Sequence, residues 1–218
     1  PWVGGIPKGI KQWSPLTDKW ELYHIDKDWS QANDLAAANP QKLEELKAAA
    51  LIKFDELRVQ FDKMRKAYEK EGYKSPSYNK AQHAISDNLM TIRFTVKTIE
   101  KLCHILRSQV DDVRRYEREI RKIVVDKCGM PQDHFIKAFP PNVMNLKWAE
   151  REIALAKPYS TVLARNLPAV QELQQKLIDL QSRAVVPLED LKQINKKMNE
   201  GEKSSRDAKK EMIEANLR

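Results

Sequence analysis

Cys103 and His104 are neighbours, and nowhere else does the sequence set a thiol beside an imidazole. Such a pair suits zinc ligation, or a nucleophile with its base. The spacing argues against both. Adjacent residues of a helix point about 100° apart and do not close on one ion. A zinc site needs two further ligands at suitable spacing, and His24, His83 and His134 do not supply them. Cys103 falls instead on an apolar periodicity, where a thiol packs as a small hydrophobe. No Gly-x-Ser-x-Gly elbow is present, and Gly4, Gly5 and Gly9 precede no basic helix start that would make a phosphate loop. The acid pairs Glu44-Glu45 and Asp111-Asp112 read as solvated helix surface. These residues predict no enzyme, no metal, no cofactor and no small-molecule substrate.

The elements that carry these side chains follow from composition. Of 218 residues, 32% are charged and 7% aromatic, with six Gly; this is the profile of long amphipathic helices. The apolar runs are too short to span a bilayer, so no membrane partner is expected. Pro1-Trp-Val-Gly-Gly5 lacks the basic start and apolar stretch of a signal peptide. Two cysteines in such a chain read as reduced thiols of a cytoplasmic protein. The net charge of +8 is uneven, with residues 1–50 holding six Lys against seven acids. The basic excess therefore lies after residue 50, interleaved with many acids, as on solvated helix faces.

Trp2, Trp13, Trp20 and Trp29 crowd the first 29 residues. Trp20-Glu-Leu-Tyr-His-Ile25 alternates bulky and polar side chains and predicts a short strand, followed by an Asp26-Lys-Asp28 turn. Asn39 before Pro40 predicts a capped helix start. Past Ala48-Ala-Ala50 the pattern is helical throughout. Ala50, Phe54, Leu57, Phe61, Met64 and Tyr68 form one seam. Gly72 closes that helix, and Ser75-Pro76 opens the next. A second seam runs Ile85, Leu89, Ile92, Val96, Ile99, Cys103, Leu106, Val110, Val113, Ile120 and Val124. It is one long helix, or two with Thr95 capping the second. Gly129 ends it at a left-handed position. Met130-Pro-Gln-Asp-His-Phe-Ile-Lys-Ala-Phe139 predicts a short helical turn before Pro140-Pro141. Further helices are predicted at about 143–157, 168–183, 187–199 and 201–218, with Pro158, Pro168 and Pro187 as starts or breaks.

Several words of this sequence resemble primary bacterial sigma factors, which direct RNA polymerase to promoters. Ala208-Lys-Lys-Glu-Met-Ile-Glu-Ala-Asn-Leu-Arg218 resembles the start of their second conserved region. It reaches the last residue without Gly, Pro or a polar tail and reads as a helix cut in mid-element. Phe54-Asp-Glu-Leu-Arg58, Val125-Asp-Lys-Cys-Gly-Met-Pro131, Phe135-Ile-Lys-Ala-Phe139 and Lys157-Pro-Tyr-Ser160 follow one another as in the variable insert before that region. Trp20-Glu-Leu-Tyr23, Asp26-Lys-Asp28, Asn33-Asp-Leu-Ala36 and Asn39-Pro-Gln-Lys-Leu-Glu-Glu-Leu46 resemble an arylsulfatase C-terminal tail, which makes the chain look like a chimera. The sulfatase nucleophile motif is absent, because neither Cys103-His-Ile-Leu-Arg107 nor Cys128-Gly-Met-Pro-Gln132 fits Cys-x-Pro-x-Arg.

The expectation is an all-α, antiparallel long-helix bundle with a small β-containing N-terminal tail. It divides into a sulfatase-tail-like segment 1–47, an insert-like domain 48–186 and the start of the conserved region at 187–218. The sigma resemblance implies a non-catalytic part of a transcription-initiation factor whose partners are core RNA polymerase and promoter DNA. Asn216 takes the place of the family's Asn in the pocket for a flipped base of the −10 element, and an amide suits that role by donating and accepting along a base edge. Arg218 is placed to meet backbone phosphate. Arg114-Arg115, Arg118 and Arg121-Lys122 read as a solvated face opposite the seam, with DNA or an acidic polymerase surface as the alternative. The rival readings of the whole chain are a helical interaction module without DNA binding and a sulfatase remnant.

Overall fold

The computed structural model describes residues 19–28 and 30–216. The expectations placed on Trp2, Trp13, Trp29, the first three glycines and Arg218 lie outside the described residues. Two compact units divide the chain, residues 1–93 and 94–218.

In the first unit, residues 19–24 form no strand. A strand needs a ladder, and the backbone of Leu22 finds only the segment before the first helix. Leu35 N–H donates to its carbonyl (2.7 Å), and its own N–H donates to the Asp34 carboxylate (2.9 Å). The small β tail is therefore replaced by a knot of carboxylate contacts. Asp28 accepts from Asn33 N–H (2.7 Å), Ser30 Oγ (2.8 Å) and Ala32 N–H (3.1 Å), which hold its carboxyl below the usual range.

α1 spans Pro40–Glu71. Asn39 precedes it without capping; its side-chain amide donates back to Leu35 O (3.4 Å). The predicted seam is correct: Met64 is buried, and Ala50, Phe54, Leu57, Phe61 and Tyr68 are half-buried. The helix closes at Gly72, whose φ of 92° suits glycine. Ser75 caps α2 (Pro76–Met90), its hydroxyl accepting from Tyr78 N–H. α2 folds back along α1. Tyr68, Tyr73 and Tyr78 cluster at the turn, and Lys53 Nζ reaches Thr91 Oγ1 (2.9 Å) at the far end.

The second unit opens with Thr95, whose hydroxyl accepts from Thr98 N–H (3.3 Å) and caps α3 (Val96–Arg121). The long seam is thus two helices. α3 continues into a π-helical stretch, Lys122–Lys127. It ends at Gly129 (φ 80°), with Met130 N–H bonded to Val124 O and Gly129 N–H to Val125 O. The Gly129 bond is that of an ordinary left-handed helix stop, while the Met130 bond reaches one residue further than usual, in keeping with the wider π turn before it. α4 (Gln132–Ala138) and a 3-10 turn (Pro140–Asn142) follow.

Three helix predictions need correction. The stretch 143–157 is helical only in α5 (Trp148–Ala154). The turn before it is held by Gln174, a fully buried amide that donates to the carbonyls of Asn142, Val143 and Asn145 (3.3 Å each). Pro168 does not start a helix: α6 runs Ser160–Ala184 straight through it. The lost hydrogen bond costs about 3 kcal/mol. Leu163, Val170 and Leu177, none with any exposed surface, hold the helix in place. Nor does α7 (Leu188–Asn216) break near Gly201.

The core joins Val110, Val113, Ile120 and Val124 to Leu163, Val170 and Leu177, with Phe135, Phe139 and Trp148 stacked beside them. At its edge the Glu152 carboxylate receives Tyr159 Oη (3.0 Å) and His134 Nε2 (2.9 Å), tying α4, α5 and α6 together. Loss of water and the Glu152 contact push the Tyr159 phenol from 10 up to about 12. A raised folded-state value means that stabilisation is complete below pH 10 and lost as pH rises towards 12. Tyr159→Phe should cost about 2 kcal/mol at pH 7, and the difference should close between pH 10 and 12. Urea melts of both proteins across that range measure it.

Candidate nucleic-acid interface

α7 carries Asn216, the residue expected from the sequence resemblance to meet a base, and its placement starts at the end of α6. Val185 takes a left-handed turn (φ 54°) and lets Gln181 Oε1 accept from Leu188 N–H (3.2 Å). Glu189 and Asp190 occupy the first turn, where carboxylates favour the positive end of the helix. Leu188, Leu191 and Asn195 are buried. Next come polar links to α3. Lys192 Nζ meets Glu117 Oε1 (2.9 Å), Arg107 Nε donates to Asn199 Oδ1 (3.1 Å), and an Arg107 guanidinium nitrogen pairs with the Glu202 carboxylate. These links set α7 antiparallel to α3. After Glu202 every described side chain through Ala215 is exposed. That is 13 residues, or about 20 Å of helix without a partner.

The free segment mixes Lys203, Arg206, Lys209 and Lys210 with Asp207, Glu211 and Glu214, and Lys210 pairs with Glu214 (3.7 Å). Met212 and Ile213 are 62% and 47% exposed. Asn216 is the last residue of α7. Its side chain, like the whole of Arg218, lies outside the described residues.

Cys103 is half-buried, and its thiol is pushed up by loss of water and by Glu202. Among the described residues no group of His, Cys, Asp and Glu is arranged to hold a metal, and no helix is long and apolar enough to cross a membrane. The sequence reading missed the His134–Glu152–Tyr159 cluster, in which His134 and Tyr159 lie 18 and 7 residues from Glu152 and share no periodicity.

The second unit is a helical frame whose last helix is packed at its start and exposed and charged after Glu202. The chain belongs to the sigma-70 family, since residues 18–181 match the family model described as "Sigma-70, non-essential region". Over 185 residues it is 38% identical to "RNA polymerase sigma factor RpoD" of Neisseria gonorrhoeae, covering 85% of this chain and 28% of that protein. The chain thus spans under a third of the length of this relative. Membership makes it non-catalytic. The family match runs unbroken across residue 47 and takes in the segment that resembles a sulfatase tail from residue 18 onward. Neither comparison shows a sulfatase or a fusion.

Gly201 lies inside α7 with open space where a Cβ would stand. Gly201→Ala should stabilise the helix by about 1 kcal/mol. Thermal unfolding followed by circular dichroism should show a raised midpoint.

Proposed function

We propose that this chain is the variable insert and the start of the conserved second region of a cytoplasmic transcription-initiation factor. In the intact protein it would contact core RNA polymerase and promoter DNA. The observation that carries this reading is the similarity to RpoD along most of the chain. Residues 48–186 act as the insert and residues 187–218 as the lead into the conserved region. Asn216 reads the edge of a flipped −10 base and Arg218 meets backbone phosphate. Support for the placement comes from the free end of α7, which leaves its last turns open to a partner.

A pull-down with core RNA polymerase tests the first half; the chain should be retained by the enzyme. Binding to a −10 single strand, measured by fluorescence anisotropy, tests the second. Asn216→Ala should weaken it by about tenfold, in keeping with about 1–3 kcal/mol for an amide–base contact. Retention by polymerase with no strand binding would favour a helical interaction module, a reading that exposed Met212 and Ile213 support.

A further inference from the structure

We propose that the edge shared by α3 and α7 is a track for nucleic-acid backbone phosphates, formed by Arg114, Arg118 and Lys196 and extended by Arg121. This surface is separate from the end of α7 and does not rest on the role given to Asn216.

The two links between the helices fix its geometry. Glu117 meets Lys192, and Arg107 meets Asn199. Arg114 lies between the first pair and the second along α3, and Lys196 lies between them along α7. Antiparallel pairing therefore places these two cations beside one another on the same edge. Arg118 and Arg121 continue the α3 row at helical spacings of four and three. All four are exposed. Arg121 makes one long hydrogen bond, to Gln132 (3.4 Å), while Arg114, Arg118 and Lys196 have no hydrogen-bonding or ion-pair partner among the described residues.

The other side of α3 is different. There Arg115 pairs with Asp112 (2.7 Å) and lies over the Tyr116 ring, and Lys176 on α6 pairs with Glu172 (2.7 Å). Cations on that flank are neutralised within the fold. On the α7 edge, Glu117 is taken by Lys192 and Glu202 by Arg107, which leaves Asp111 on α3 and Glu200, four residues after Lys196 on α7, as acids near the row, against four cations. Like charges at four-residue spacing destabilise a helix slightly, so the row is best satisfied by an external anion.

Two properties select phosphate backbone over an acidic protein. Protein interfaces centre on apolar or aromatic anchors. No large apolar side chain is exposed on α3 from Arg107 to Arg121, and exposed Ile194 stands on the opposite face of α7 from Lys196. Arginine forks also match phosphate oxygens. Arg114 to Arg121 covers about 10 Å, the reach of roughly three phosphates along one strand of a duplex.

Fluorescence anisotropy with a labelled duplex of arbitrary sequence, titrated across salt concentrations, tests the assignment on the full chain. Affinity should fall with salt. The slope of log K against log salt should drop by about 0.9 for each phosphate contact removed, so by about 2.7 in an Arg114→Gln, Arg118→Gln, Lys196→Gln triple variant. Arg115→Gln, whose charge is already paired, should leave the slope unchanged, as should Asn216→Ala. Circular dichroism melts should show all variants folded, since every substitution is at the surface. Absence of duplex binding at low salt, or a triple variant with the parent slope, would overturn the proposal. It would also fail if Asn216→Ala abolished duplex binding, or if the triple variant lost polymerase in a pull-down while holding duplex normally.

Discussion

The apolar contact between α3 and α6 is what the second unit rests on. Val110, Val113, Ile120 and Val124 on one side, and Leu163, Val170 and Leu177 on the other, have no exposed surface. Burying each is worth roughly 1.5–3 kcal/mol, enough together to override local costs such as a proline inside α6. Gln174 is aimed by that packing at the carbonyls that shape the turn before α5. Glu117 and Arg107 are aimed by the same helix at α7. The direction in which α7 leaves the bundle is therefore decided by side chains that, for the most part, do not touch α7 itself.

This division explains which features were legible beforehand. Gly72, Ser75-Pro76 and Gly129 act on their own turn of backbone, so their residue types were enough. Thr95 shows the limit of that reasoning. Its cap is local, but the apolar periodicity passes straight over it, and only the observed backbone separates α2 from α3. Pro168 and Gly201 are local breakers that lose to their surroundings: α6 is held by its buried face, and α7 is pinned to α3 on either side of Gly201, at Lys192 and Asn199 before it and Glu202 after it. Asn39 fails for the opposite reason, because Leu35 O competes for its side chain. Gln174 was invisible because its partners lie 29 to 32 residues away. The π turn has no residue signature at all.

The candidate site was legible in a different way. Asn216 and Arg218 came from resemblance of a continuous run of residues, and nothing in the periodicity marks them. The α3 cations could be counted from sequence, but not sorted. Arg114 and Arg115 are neighbours with the same charge and similar exposure, yet Arg115 is held by Asp112 while Arg114 is free. Sorting them needs the position of α7, which brings Lys192 to Glu117 and so removes the acid that would otherwise screen the row.

The links along α7 also grade its freedom. It begins in the core with Leu188 and Leu191, passes through ion pairs at Lys192 and Glu202, and then leaves the protein surface. Apolar burial is insensitive to salt, whereas half-exposed ion pairs weaken as salt rises. Added salt therefore loosens the middle of the helix before its root, and with it the register between Arg114 and Lys196. A helix anchored by packing at its start and steered further along by charge thus takes its direction from two interactions that respond differently to the solvent.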